Sequence, residues 1–317
     1  MELSVSTHWN TFRHATGEAM IEEILALGID CVELGYDLRL DMVEGVKKMV
    51  ERGAVRVRSV HNYCPVPMGS HRGHPEIWTP ASNDKRTREN AVKHMTSTIQ
   101  FAAGMGASVV VAHAGNVDMS QMSRELIEWC QTGRQYTPAY EKLKMKITMT
   151  RDKKVARQLD YLRESIDLLM PELEKHRIVL AFENLPTWES IPTEIEMEKL
   201  LQDYNSPWLK SWFDFGHAYI RQNLGFINAE RWVDRLSLWI AGTHIHDVAP
   251  PARDHVMPGK GRIPFDVYRD FAAKDIIRVL EPAPGADAAE LKDAIAFLRN
   301  CWQTPPPLNN TGLGKTS

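Results

Sequence analysis

Seven side chains able to ligate a metal share one setting, the end of a short apolar run: Glu33 after CV, His61 in SVHNY, His113 in VVVAHAGN, Glu183 in LAFENLP, Asp214 in WFDFGHA, His244 in THIHD and Glu281 in VLEP. If the runs end at a common place, carboxylates from distant parts of the chain are crowded together. They then repel one another and lose hydration, which raises their pKa values unless a cation compensates. A divalent ion is the simplest compensation. Imidazoles mixed with carboxylates suit manganese, zinc or cobalt better than calcium, which prefers oxygen throughout, while magnesium remains possible. Glu183, Asp214, His244 and Glu281 fall on four consecutive runs, and that joint placement is the strongest signal in the sequence.

The apolar runs read as β-strands: Leu3 to Ser6, Cys31 to Leu34, Val55 to Val60, Ser108 to Ala112, Ile178 to Phe182, Leu209 to Phe213, Ile240 to Ile245 and Ile276 to Leu280. Between them lie amphipathic stretches with helix-start spacings, Thr193 with Glu196 and Asp287 with Glu290, and glycines Gly28, Gly53 and Gly106 at the stops. Alternation of strand and helix predicts parallel βα units. Runs such as VVVA and IVLAF are apolar on both faces, as strands enclosed between a barrel interior and a helical ring must be. Eight strands without a glycine-rich phosphate loop after the first favour a single (β/α)8 TIM barrel, residues 1–302, over an open doubly wound sheet. In such a barrel the C-terminal strand ends converge on one mouth.

Residues 114–177, between strands 4 and 5, exceed one crossover helix and are expected to hold an extended helical insertion. Residues 303–317, rich in Pro and polar side chains, read as a flexible tail. Hydrophobic residues make up 43% and charged residues 25% of the 317, an ordinary globular balance, and the net charge of -3 draws the chain to neither nucleic acid nor membrane. The cysteines Cys31, Cys64, Cys130 and Cys301 lack C-x-x-C spacing, which argues against a disulfide scaffold or a zinc finger. The opening MELSVSTHWN lacks the features of a signal peptide, so a cytoplasmic location is the expectation, with homo-oligomerisation open.

The motifs AFEN, FDFGHA and HIHDVAPPARDHVMPGKGRIPF resemble those of the xylose isomerase-like barrel superfamily, which includes sugar isomerases and epimerases, dehydratases and the endonuclease IV family; the resemblance spans roughly residues 3 to 300. It implies that Glu183, Asp214, His244 and Glu281 are the four ligands of a single-metal epimerase and that His217 contacts substrate. The endonuclease IV-like pattern of three zinc ions also has counterparts in His61, His113, His217 and His255. Where that pattern has an Asp two residues before His255, however, this chain has Arg253, which argues against a third metal, while the resemblance leaves His61 and His113 together with Glu183 as a possible second site. Asp254 would face the other way on an extended strand.

His246, two residues after His244, would share its face and contact substrate or orient a ligand. His255 is a further substrate-side candidate, and Glu189 lies where sugar epimerases tend to have a substrate-contacting acid. Lys260 and Arg262 could hold a phosphate or carboxylate. His71, His74 and Trp78 could belong to a lid, and Trp9, Trp188 and Phe215 to an apolar wall against a sugar face. The leading expectation is isomerisation or epimerisation of a sugar, sugar phosphate or polyol-derived substrate through a metal-stabilised enediolate, with Glu183 and Glu281 moving the proton. A dehydratase or lyase on a related keto-sugar needs the same proton removal. An endonuclease IV-like phosphodiesterase on abasic DNA is a rival, against which stand Arg253, the net charge and the lack of basic loops. A catalytically silent barrel is another, against which stand Glu183 and Glu281.

Overall fold

The computed structural model describes residues 1–303. Eight parallel strands close a barrel: β1 (Ser4–Ser6), β2 (Cys31–Leu34), β3 (Arg56–His61), β4 (Val109–Ala112), β5 (Val179–Glu183), β6 (Leu209–Asp214), β7 (Ile240–Ile245) and, after a two-stranded excursion, β10 (Ile277–Leu280). Each stave pairs with its sequence neighbour, and β10 closes the ring between β7 and β1. The expected eight-stranded barrel is therefore observed. Three strands, β3, β5 and β6, run one residue further than read from sequence, and take His61, Glu183 and Asp214 into the sheet itself.

Burial explains the composition of the staves. All four residues of β4, VVVA, are buried, because one face meets the barrel interior and the other meets helices. Trp212 fills the interior beside Val109, Val111, Ala181, Ile277 and Val279. Gly242, on the neighbouring strand, leaves room for it: a Cβ there would lie 2.2 Å from the Trp212 ring. Helix α1 (Gly17–Leu25), α2 (Val43–Glu51) and α3 (Lys85–Gly104) follow the first three strands. Gly28, Gly53 and Gly106 take the positive φ that ends a helix before the next strand.

Between β4 and β5 the chain forms α4 (Ser123–Gln131) and α5 (Pro138–His176). Arg151 of α5 is buried; its Nη2 donates to Glu196 Oε2 at 2.8 Å and its Nε to the Trp188 carbonyl at 2.8 Å. That tie joins the long helix to the loop after β5. Glu196 also completes the capping box of α6 (Glu194–Tyr204), accepting from Thr193 N at 2.8 Å. Helices α7 (Phe215–Asn223), α8 (Ala229–Leu236) and α9 (Ala288–Gln303) complete the ring. Among the described residues no helix is long and apolar enough to cross a membrane. The tail expected beyond Gln303 lies outside the described residues.

The sequence pattern does not announce the antiparallel hairpin of β8 (Asp247–Ala249) and β9 (Arg253–Val256), beyond the end of β7. Asp247 organises the loop on the far side of this hairpin. Its carboxylate accepts from Gly259 N, Gly261 N and Ile263 N at 3.1, 2.9 and 2.9 Å, so the glycines of PGKGRI fold back onto this acid. A Cβ on Gly261 would lie 2.3 Å from the Asp247 carboxylate, which accounts for glycine at that position.

Candidate metal centre and active site

Barrel closure delivers Glu183 from β5, Asp214 from β6, His244 from β7 and Glu281 from just after β10 to one point. One ligating atom of each lies within 4.8 Å of all the others, and all four residues are buried. His244 Nδ1 sits among three carboxylates, 3.3 Å from Glu183 Oε1, 3.5 Å from Glu281 Oε2 and 3.8 Å from Asp214 Oδ2. Its other nitrogen, Nε2, lies 2.9 Å from Glu33 Oε1, and Glu33 is held in turn by Ser59 Oγ at 2.8 Å. A ring whose Nε2–H donates to Glu33 presents a bare lone pair at Nδ1, and that atom has no hydrogen-bond partner. A lone pair facing three anions out of contact with water demands a positive charge between them. The residues therefore fit a divalent cation, and Glu33 occupies the orienting role that a ligand histidine requires.

The electrostatics agree. Burial opposes ionisation of Glu183, but the charge of His244 and hydrogen bonds with His113 and His217 hold its carboxyl well below the usual range. Burial likewise disfavours a charged His244, and Glu281, Glu33 and Glu183 outweigh it to raise its pKa well above the usual value. In the absence of a metal ion, protons on imidazole supply the missing positive charge.

Glu183 reaches both ways. While Oε1 faces His217 and His244, Oε2 lies 3.3 Å from His61 Nε2 and 3.3 Å from His113 Nε2. His61 Nδ1 meets the Asn62 carbonyl at 3.0 Å, which directs the Nε2 lone pair at Glu183. One ligating atom each of His61, His113 and Glu183 likewise lies within 4.8 Å of the others.

Asp214 is fixed by its neighbours. Asn184, next to Glu183 in AFEN, brackets it with Nδ2 donating to Asp214 O at 2.9 Å and Oδ1 accepting from Asp214 N at 2.8 Å. Asp214 Oδ1 caps α7 by accepting from His217 N at 2.6 Å, which explains the D-x-x-H spacing. His217 faces Glu183 and lines the cavity above the cluster.

The structure sorts the remaining candidates. His246 Nδ1 accepts from His255 N at 2.9 Å, so its Nε2 carries the proton and donates to Asp214 Oδ2 at 3.1 Å. Of the two roles expected for His246, this geometry matches the orienting one. His255 stacks on His246 with ring centroids 4.1 Å apart, and its Nε2 is 3.7 Å from Glu281 Oε2. Asp254 departs from expectation: a register shift in the hairpin and the positive φ of His255 break strand alternation. Its carboxylate lies 3.5 Å from His255 Nδ1, and although burial opposes ionisation, His255, His217 and His246 hold it well below the usual range.

Two substrate candidates are engaged by other residues of the chain. Glu189 is fully buried, and its Oε1 accepts from Ser123 N at 2.8 Å, so it anchors the start of α4. Lys260 pairs with Glu290 in the first turn of α9. The proposed apolar wall also dissolves, since Trp9 and Phe215 are fully buried in the core and Trp188 stacks on Phe226. Of the lid candidates, His74 lines the cavity, while Trp78 stacks on His94.

That cavity has a volume of about 380 Å³ and carries His113 and His217 on its wall with Tyr36, Glu76, Asn116 and Arg124. Its size suits a small molecule. Against known families, the profile described as "Xylose isomerase-like TIM barrel" matches residues 21–301. The chain belongs to that family. No curated protein matches by sequence. This xylose isomerase-like barrel is similar in fold to a D-tagatose 3-epimerase-like protein, at 21% identity and TM-score 0.66, covering 95% of this chain and 99% of that one. D-psicose 3-epimerase with D-tagatose from Clostridium cellulolyticum H10 is similar at 14% identity and TM-score 0.66, over 96% and 100%. A Thermus thermophilus protein soaked with ZnCl2 is similar at 17% identity and TM-score 0.60, over 95% and 98%.

Membership makes the chain an enzyme of the isomerase-like barrels. Sequence reasoning missed the roles of Glu33, Asn184 and Asp247. Glu33 carried a signal, since it also ends an apolar run, and Asn184 adjoins a ligand.

Proposed function

We propose that this protein is a divalent-metal-dependent isomerase or epimerase acting on a ketose-type carbohydrate, with Glu183, Asp214, His244 and Glu281 holding the ion. The observation that carries this reading is the partnerless Nδ1 of His244 among three buried carboxylates. A bound divalent ion would act as a Lewis acid toward the carbonyl and adjacent hydroxyl oxygens, making the neighbouring C–H more acidic. Manganese, zinc and cobalt suit the mixed donor set.

The chain's own residues supply the rest. Epimerisation needs a proton removed from one face of a carbon and returned to the other. Glu183 and Glu281 reach the site from staves separated in the barrel by β6 and β7, so they approach from different walls. Glu183 and Glu281 are both depressed by the surrounding histidines, so either can start as the base: one takes the proton from carbon, and the other, carrying a proton drawn from solvent, returns one to the opposite face. His217 contacts a substrate hydroxyl from the cavity wall, with His255 beside it, while the bulk of the barrel keeps water from the reacting carbon.

A second reading concerns metal count. His61 Nε2 and His113 Nε2, each 3.3 Å from the same Glu183 oxygen, favour a dinuclear centre sharing that carboxylate. Incubating manganese-loaded enzyme with a panel of ketoses in D2O tests the function. The expected product is an epimer carrying deuterium at the carbon beside the carbonyl, with both signals lost on adding chelator. Unchanged sugars with no exchange across the panel would refute it.

A further inference from the structure

Arg124 stands in the first turn of α4 and lines the same cavity as His113 and His217. Unlike the buried Arg151, whose guanidinium is engaged by Glu196 and two carbonyls, Arg124 is exposed and has no hydrogen bond, ion pair or ring contact with any described residue. The backbone that carries it is fixed from below. Ser123 is fully buried; its N–H donates to Glu189 Oε1 at 2.8 Å and its Oγ accepts from Trp188 N at 3.1 Å. Val117 N donates to the Glu189 carbonyl at 2.8 Å, and Ser190 Oγ to Asn116 Oδ1 at 2.8 Å. A buried carboxylate at the head of α4 thus locks that helix to the loop after β5 and sets exposed Arg124 at the cavity wall, unpaired among the described residues.

We propose that the substrate carries an anionic group, a phosphate or a carboxylate, and that Arg124 binds it in the cavity over the metal centre. This inference rests on the ketose reading above and narrows its substrate class. The one acid on the cavity wall among the described residues, Glu76, is 3.4 Å from His113 Nδ1, which offsets its charge. Asn116, Gln121, Thr187 and Ser190, also on the wall, are neutral. A guanidinium beside neutral polar groups, on an immobilised stretch of backbone, matches two oxygens of a carboxylate or phosphate in a charged, forked geometry that a neutral sugar does not offer.

The test compares manganese-loaded wild type with Arg124→Ala and Arg124→Lys on neutral ketoses, their terminal phosphates and the matching keto-uronates. The expected result is that wild type prefers one anionic class, phosphate or carboxylate, in kcat/KM, and that the preference falls about 10- to 100-fold in Arg124→Ala through KM, with partial recovery in Arg124→Lys. An anion-to-neutral ratio unchanged by Arg124→Ala, or turnover of neutral ketoses alone, overturns the proposal while leaving the epimerase reading intact. If wild type turns over no member of the panel, the epimerase reading fails, and calorimetric titration of inorganic phosphate into the same three proteins decides the anion site separately: weaker binding in Arg124→Ala supports it, and equal binding rejects it.

Discussion

Glu33 Oε1 lies 2.9 Å from His244 Nε2, and this one contact decides what the opposite nitrogen of the ring can do. By taking the Nε2 proton as its hydrogen bond, Glu33 turns the Nδ1 lone pair toward Glu183, Asp214 and Glu281. It also makes the imidazole a stronger donor to a cation. Replacing Glu33 with Gln removes the charge and keeps the shape. Manganese binding, measured calorimetrically, is expected to weaken about 10- to 100-fold with no loss of fold. Unchanged affinity would deny Glu33 any part in metal binding.

The two glutamates differ in reach. Glu281→Gln, which alters a ligand and a proton-transfer group together, is expected to weaken metal binding and to lower kcat by at least about 100-fold at saturating metal. Glu183→Gln is expected to lower kcat and to weaken metal binding further, because one of its oxygens faces His244 and the other His61 and His113. Steady-state rates alongside metal titrations distinguish these outcomes.

The metal-free protein carries a predictable pH signature. Burial lowers the pKa of His113 and His217, but Glu183 with Glu76 raises His113 to about 9, and Asp214 with Glu183 raises His217 to about 10. Because these folded-state values exceed the ordinary 6.5, their stabilisation is fully present below 6.5 and is lost as pH rises through about 9 to 10. Glu183 and Glu281 are depressed, so their contribution is present above the ordinary 4.5 and is lost as pH falls through their lowered values. Denaturant titrations in chelator should therefore show stability falling from neutral pH toward about pH 10 and again in strong acid. Added manganese displaces protons from these imidazoles, so binding should release protons at about pH 7 and flatten the alkaline limb. Calorimetry in buffers of different ionisation enthalpy measures that release.

Gly216 gives a geometric test. A Cβ at this position would lie 1.9 Å from the His246 ring, so Gly216→Ala must push His246 away from Asp214. Activity is expected to fall about 10-fold or more, with metal affinity weakened, as happens when a ligand loses its orienting partner. An active Gly216→Ala enzyme with normal metal affinity would show that His246 does not position Asp214.

Much of this site was legible because its signals were local. Each main ligand ends a run of strand-forming residues, and a parallel barrel carries every such end to the same mouth. His246 was legible for the same reason, through its two-residue spacing from His244. The features that escaped depended on contacts between remote segments. Nothing around Glu189 announces that its carboxylate will meet Ser123, 66 residues away, and Lys260 meets Glu290 across the outside of the barrel. Asp254 escaped because alternation assumes a regular strand, and β9 is bulged with a left-handed residue at His255. Arg124 lies on a short helix whose periodicity marks a buried face and is silent about what its exposed face overlooks.

Whether Glu183, Asp214, His244 and Glu281 share one divalent cation is measured most directly by titrating manganese into chelator-treated protein, wild type beside Asp214→Asn. One tight equivalent is predicted in wild type, lost or greatly weakened in the variant, with any second equivalent depending instead on His61 and His113. A wild-type protein that binds no manganese, zinc or cobalt, or an Asp214→Asn protein that binds as tightly as wild type, would contradict it.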